Sequence, residues 1–309
     1  MSAPRVLKMG TRGSPLARAQ SSWYARTVEA ANPGLTVESV LIKTSGDTLS
    51  ERVNEGRYEA PADSNVKAMF VKEIETALMD GRVDFAVHSA KDLPADLPEG
   101  LVLAGFPRRE DPSDVFIGAP GVARFADLPQ GATVGTASLR RQIQLRAPRP
   151  DLKFTALRGN VDTRLRKLSE GQASGIILAL AGLRRLGLAS TPHEVLGADL
   201  VLPAPGQGSL AVECSEARAD VRAALAPTFD EDTRLETELE RRLLKAVGGG
   251  CSTPLGALAR VSGAEVSVRV FWSDAEGRRQ VRVSGQAGRR PEELSNLVDG
   301  LVQRVLAGA

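Results

Sequence analysis

Two proline-punctuated segments, Phe106–Pro112 and Leu202–Gly206, interrupt an otherwise regular alternation of short apolar runs and amphipathic helical stretches. Such alternation builds a parallel or mixed sheet with helices on both faces, and proline punctuation marks where the chain leaves one layer for another. Before the first crossing, strands are expected near Val6–Met9, Val37–Ile42 and Phe85–Val87. Between the first two, Ser14-Pro15 reads as a helix cap with a first-turn proline, and Leu16, Ala19, Trp23 and Thr27 share one face. Phe70, Val71, Ile74 and Leu78 mark a second helix, while Thr48 to Val66 lacks periodicity and reads as a long, lid-like loop. Between the crossings the alternation repeats, with strands near Thr133–Gly135, Lys153–Leu157 and Gly175–Ala179 and helices after Ser138, after Asn160 and through Leu183–Leu186. Ser209–Glu213 reads as a buried strand that returns to the first sheet. From about Glu231 the pattern changes to a helix, three alternating strands and a final helix, the signature of a small antiparallel α+β domain. The fold class is therefore α/β, with two lobes facing a cleft and a small C-terminal α+β domain. The expected boundaries are 1–107 with 207–228 for the first lobe, 112–203 for the second and 229–309 for the third domain.

A chain of 309 residues has room for two or three such bodies at about 150 residues each. Hydrophobic residues at 42% and charged residues at 25% belong to an ordinary globular protein. No apolar run approaches the roughly 18 residues of a membrane span. The first residues pass into a strand without the apolar core of a secretory signal, so a cytoplasmic location is expected. Two cysteines, Cys214 and Cys251, and two histidines, His88 and His193, exclude a disulfide scaffold and a His-rich metal site. A net charge of +2 gives no overall field for nucleic acid. The 40 basic residues nonetheless divide into 8 Lys and 32 Arg, and arginine is the residue that grips carboxylate or phosphate in two places at once.

Position tells more than number. Arg12 follows the first strand, Arg140 and Arg141 follow a strand and Ser138, Arg158 follows the next, and Arg164 lies in the helix after it. Guanidinium groups thus recur at βα junctions, the sheet edge where ligands of open α/β sheets lie. Ser14, Thr136 and Ser138 add hydroxyls at helix N-termini, which also suit anionic oxygens. A ligand with several carboxylates or phosphates follows. His88-Ser89-Ala90-Lys91-Asp92 places a cation and a carboxylate at another strand end, either for acid–base work or as an exposed ion pair. Cys251 follows three glycines, where a backbone can approach a ligand closely; it reads as a nucleophile, an attachment point or a small buried hydrophobe. Cys214 ends an apolar strand and reads as core.

The motifs G-T-R-G-S-P-L-A, F-V-K-E-I-E, V-H-S-A-K-D-L-P, R-E-D-P-S-D, G-T-A-S-L-R-R-Q, L-R-G-N-V-D-T-R, A-G-L-R-R-L-G-L, L-P-A-P-G-Q-G and G-G-G-C run in order from residue 10 to 251. Together they closely resemble the porphobilinogen deaminase (hydroxymethylbilane synthase) family. The resemblance implies two lobes like those of periplasmic binding proteins and a third domain carrying a dipyrromethane cofactor through a thioether to Cys251. It implies a monomer that joins four porphobilinogen molecules head to tail, releases ammonia at each step and frees hydroxymethylbilane for haem biosynthesis, with no nucleic acid, membrane or metal involved. By motif, Asp92 would be catalytic, holding pyrrole N–H groups and stabilising the cationic azafulvene. Cys251, Lys91, Asp92, Ser138, Arg140, Arg141 and Arg158 would bind the cofactor. Arg12, Ser14, Arg158, Arg164, Arg185, Lys67, Gln20 and Gln207 would bind substrate. One stretch departs from the family: where a K-x-G-G-K-G pattern is usual, this chain has Asp63-Ser64-Asn65-Val66-Lys67-Ala68, which keeps one lysine and loses the glycines. An alternative reading is a non-catalytic two-lobed binder of a polycarboxylate, which leaves Cys251 and the third domain unexplained.

Overall fold

The computed structural model describes residues 5–48, 68–248 and 253–308. The expected loop over 48–66 therefore falls almost wholly outside the described residues. The chain forms two compact units, one of residues 1–109 and 209–234, the other of residues 110–208 and 235–309.

The first unit is built on strands β1 (Arg5–Thr11), β2 (Leu35–Leu41), β3 (Phe85–Ser89), β4 (Leu101–Gly105) and β10 (Leu210–Ser215), in the order β2-β1-β3-β10-β4. β1 runs parallel to β2 and β3, whereas β10 is antiparallel to both β3 and β4. The strand read after the second crossing does return to this sheet, between β3 and β4. Side chains alternate between faces along each strand. Met9, Phe85, Val87, Val212 and Cys214 pack with Tyr24 and Val28 of helix α1 (Pro15–Ala31) on one side. Ala86 and Leu101 pack with Ile74, Ala77 and Leu78 of α2 (Lys72–Met79) on the other. Cys214 is thus core, as its place at the end of an apolar strand indicates. Ser14 caps α1 in extended backbone, its Oγ accepting from Ala17 N–H at 3.3 Å.

The second unit repeats that plan with β5 (Asp114–Gly118), β6 (Thr133–Gly135), β7 (Lys153–Thr155), β8 (Gly175–Ala179) and β9 (Glu194–Leu196), ordered β7-β6-β8-β5-β9. β6 is parallel to β7 and β8, and β5 is antiparallel to β8 and β9. In both sheets the fourth strand is the antiparallel one, and it is the strand the chain enters directly from a crossing. Its first residues therefore meet the carboxyl ends of the parallel strands: Leu210 pairs with Ser89, and Asp114 with Ala179. Helices α3 (Leu139–Arg146), α4 (Val161–Ser169) and α5 (Leu180–Arg185) follow β6, β7 and β8. Two further helices, α6 (Ala219–Leu225) and α7 (Glu231–Ala246), follow β10.

The same unit holds an antiparallel sheet of β11 (Leu255–Ser262), β12 (Glu265–Ser273) and β13 (Gln280–Gly288), followed by α8 (Pro291–Ala307). Ala257, Val268 and Val270 pack against Leu239 and Leu243 of α7 and Leu301 and Val305 of α8. Glu240 of α7 is fully buried, because its carboxylate accepts from Gly206 N–H at 2.6 Å and Ala259 N–H at 2.9 Å. One acid thereby joins the second crossing to β11.

Close packing at Gly175 gives a direct check. Gly175 pairs with Gly118 across β8 and β5, and a Cβ there would overlap the buried Phe116 ring. Gly175→Ala is expected to destabilise the protein by about 1–3 kcal/mol through overpacking, read as a lowered urea midpoint with an unchanged slope.

Candidate functional site

Each unit carries a constellation of candidate residues at the carboxyl edge of its sheet. In the first unit, β3 ends at Ser89 and passes into a single 3-10 turn, Ala90–Asp92, which puts Lys91 and Asp92 half-buried just beyond the strand. The turn is held from below, since Ala90 N–H donates to Ser209 O at 3.0 Å. The buried amide of Gln20 on α1 donates to Ser89 Oγ at 3.0 Å, so Gln20 supports the strand end. The Asp92 carboxylate makes no hydrogen bond or ion pair with any described residue. Arg12, beyond β1, is engaged: its Nη2 lies 2.6 Å from Asp47 Oδ1 and its guanidinium carbon 4.0 Å from the Phe70 ring centroid. Asp47 is braced in turn by Thr44 Oγ1 at 2.8 Å.

The second unit centres on an acid. Asp114, the first residue of β5, is fully buried. Its Oδ2 accepts from Arg140 Nη1 at 2.8 Å, and its Oδ1 accepts from Arg141 Nη2 at 2.6 Å and Gln207 Nε2 at 2.8 Å. The outer donors find carbonyls: Arg140 Nη1 also reaches Leu202 O at 2.5 Å, Arg141 Nη1 reaches Ile177 O at 3.0 Å, and Gln207 Nε2 reaches Pro112 O at 2.6 Å. Arg140 and Arg141 are only 5% and 7% exposed. Burial by itself would raise the Asp114 pKa, but the two guanidinium charges outweigh it and hold the acid well below the usual carboxylate range. Two cations against one anion leave an excess positive charge in a region of low dielectric, which favours an anionic ligand. Arg141 Nε is buried with no hydrogen-bond partner.

Around this hub, the Ser138 hydroxyl makes no capping bond at the start of α3, and neither it nor the half-buried Arg158 guanidinium pairs with a described residue. Arg164 Nε donates to Gly159 O at 2.8 Å. Arg185 Nη2 donates to Gly208 O at 2.6 Å, and burial lowers its pKa to about 10 against the opposing charge of Glu110. Gly208 has φ +87°, and a Cβ there would strike the Glu110 backbone, so the turn that presents this carbonyl requires glycine.

The candidates therefore divide. Asp92, Arg158 and Ser138 present groups not engaged by described residues. Ser14, Gln20, Arg12, Arg140, Arg141, Arg164, Arg185 and Gln207 already serve as caps, clamps or ion-pair partners. Lys67 and Cys251 lie outside the described residues. Asp114 and Asp47, which hold the arginines, were not among the candidates. The signal for Asp114 was an acid at the head of the apolar run Val115-Phe116-Ile117, where a charge is costly unless paired. Among the described residues, no helix is long and apolar enough to cross a membrane and no group of acids, histidines or cysteines is placed to hold a metal.

Removing the Asp114 carboxylate strands two buried cations. Asp114→Ala is expected to cost about 3–5 kcal/mol, measured by urea denaturation at neutral pH. Because the Asp114 pKa is depressed, its stabilisation is present above the ordinary carboxylate range and is lost as pH falls through the depressed value. The gap between wild type and variant should therefore close in strong acid.

A family model described as "Porphobilinogen deaminase, dipyromethane cofactor binding domain" matches residues 7–223, and "Porphobilinogen deaminase, C-terminal domain" matches residues 234–299. The porphobilinogen deaminase of Nitratidesulfovibrio vulgaris is 45% identical over 312 residues, spanning 99% of this chain and 95% of that protein. That of Roseiflexus castenholzii is 46% identical over 307 residues, spanning 98% and 99%. Among solved structures, the methionine binding protein MetQ is similar with a TM-score of 0.46 and 15% identity over 77% of this chain and 95% of that one. Two family models covering most of the chain, and relatives near half identity along almost all of it, give one conclusion: the chain belongs to the porphobilinogen deaminase family.

Proposed function

We propose that the protein is a transferase that joins four porphobilinogen molecules head to tail into hydroxymethylbilane, with loss of ammonia at each step, in tetrapyrrole (haem) biosynthesis. The observation that carries this reading is membership of the porphobilinogen deaminase family along nearly the whole chain. The chemistry of the groups at the two sheet edges supports it. Each pyrrole of the growing chain bears an acetate and a propionate, and such a polyanion needs bidentate cationic partners.

The donor set also fits the dipyrromethane that the family model's description names. Arg141 retains a buried N–H without a partner, and Arg158 and Ser138 have groups to offer. In the proposed assignment, Cys251 is the attachment residue, and Ser138, Arg140, Arg141, Arg158, Lys91 and Asp92 hold the cofactor. When bound, it would supply the pyrrole carbon from which the chain is extended.

The protein's own groups then have distinct tasks. Asp92 accepts a pyrrole N–H and sets its negative charge where positive charge develops as the aminomethyl group departs, which lowers the barrier electrostatically. Arg158, Arg164 and Arg185, with Arg12, Ser14, Gln20, Gln207 and Lys67, are assigned to substrate recognition. Arg12 binds a substrate carboxylate by exchanging or sharing Asp47. The proposed working form is a cytoplasmic monomer, an assignment that rests on the family resemblance.

Intact mass tests the proposal most directly. Protein purified from a haem-producing host should exceed its sequence mass by one dipyrromethane and give the coloured aldehyde reaction of pyrroles; Cys251→Ser should lose both. An unmodified wild type that saturates with porphobilinogen without releasing ammonia would support the polycarboxylate binder instead. Asp92→Ala should lower kcat by about 100-fold or more while leaving the circular dichroism spectrum unchanged. Near-normal product formation in that variant would remove Asp92 from the chemistry.

A further inference from the structure

We propose that Glu75, His88 and Glu213 form a buried positioning cluster that fixes the carboxyl end of β3, and through it Asp92, for reaction. The inference builds on the role given to Asp92 above. Strand parity brings the three together. On the face of the first sheet covered by α2, β3 presents Ala86 and His88, β10 presents Ala211 and Glu213, and β4 presents Leu101 and Leu103. His88 and Glu213 interrupt an otherwise apolar surface, and Glu75 comes from α2 above it. Their exposures are 7%, 0% and 9%. His88 Nε2 lies 2.9 Å from Glu213 Oε2, yet without the alignment of a hydrogen bond, and both Glu213 oxygens and Glu75 Oε1 are buried without hydrogen-bond partners.

Two carboxylates and an imidazole in an apolar layer are costly unless they share protons. A purely structural layer would be served better by leucine, as at the neighbouring positions of β4. The location gives the cost a use. His88 stands four residues before Asp92 on the strand that launches its turn. The Glu213–His88 pair and the bond from Ala90 N–H to Ser209 O add to the antiparallel β3–β10 ladder at the end of the strand that leads into the Asp92 turn.

The charge state of this support depends on Glu75. Its pKa is raised, first by burial and then by the charge of Glu213, with His88 opposing. A raised carboxyl contributes stability that is present below the ordinary glutamate range and is lost as pH rises through the raised value. Above that value a second negative charge stands beside Glu213. Other groups on the packed elements do not relieve it. Glu73 of α2 accepts from Ser45 N–H at 3.0 Å, Lys72 and Lys8 are exposed, β4 has no titratable side chain on this face, and Lys91 and Asp92 lie on the turn beyond β3.

The test measures kcat and KM for porphobilinogen against pH, with melting temperature, for wild type, Glu213→Gln and Glu75→Gln. Glu213→Gln should lower kcat about tenfold with KM changed by less than about twofold, as expected for displaced chemistry rather than lost binding. Glu75→Gln cannot lose a proton, so its alkaline limb of kcat should move to higher pH by about half a unit or more. If both variants shift the melting temperature but keep the wild-type kcat and pH profile, the cluster is structural and the proposal fails. If Glu213→Gln does not fold, the alkaline limb of Glu75→Gln decides alone. Failure of the wild type to release ammonia would instead defeat the functional reading of the chain.

Discussion

A single carboxylate, Asp114, is the constraint around which the second unit is arranged. An unpaired charge cannot remain in that interior, so β5, α3 and the second crossing must all be in place before the group is satisfied. Arg140, Arg141 and Gln207 each spend one contact on the acid and another on a carbonyl from Leu202, Ile177 or Pro112. Under the proposed function, the arrangement makes fold and recognition interdependent. The guanidinium groups are rigid and desolvated before any ligand arrives, which reduces the ordering cost of binding. Their surplus positive charge stays concentrated at the sheet edge.

Repetition of one sheet plan explains why the candidate residues gather at corresponding edges of the two units. In each, an antiparallel fourth strand begins where the parallel strands end, so residues of the crossings fall among the βα turns. Gln207 and Asp114 reach the hub in this way, and Ser209 reaches the Asp92 turn. Open sheets place ligands at that edge. Here the crossings deliver buried acids and amides to it.

Much of this plan was legible from periodicity. β6 and β8 fall on the stretches read as Thr133–Gly135 and Gly175–Ala179, and β10 begins one residue after the expected Ser209. The short strands β4, β5 and β9 and the helix α6 were not read. β5 is preceded by the charged, proline-bearing run that marks a crossing, and β9 has three residues, one of them Glu194, so neither offers a clear alternation. The arginine positions at βα junctions were legible; the direction of their side chains was not. Arg140 and Arg141 turn toward an acid 26 and 27 residues earlier, supplied by a strand whose pairing no local pattern reveals. The strand end that carries Asp92 was legible because it is local, whereas the strand β10 that pairs with it lies more than a hundred residues away.

The place of β10 also bears on how the chain is made. β4 is bonded to its sheet through β10, which leaves the ribosome after the whole of β5–β9. During synthesis β4 therefore waits without a neighbour while the later sheet already has all five of its strands. Long-range pairing of this kind is slow and leaves an open edge meanwhile. The later-translated sheet is thus the one able to close first, and the earlier one keeps an open edge until residue 215 emerges.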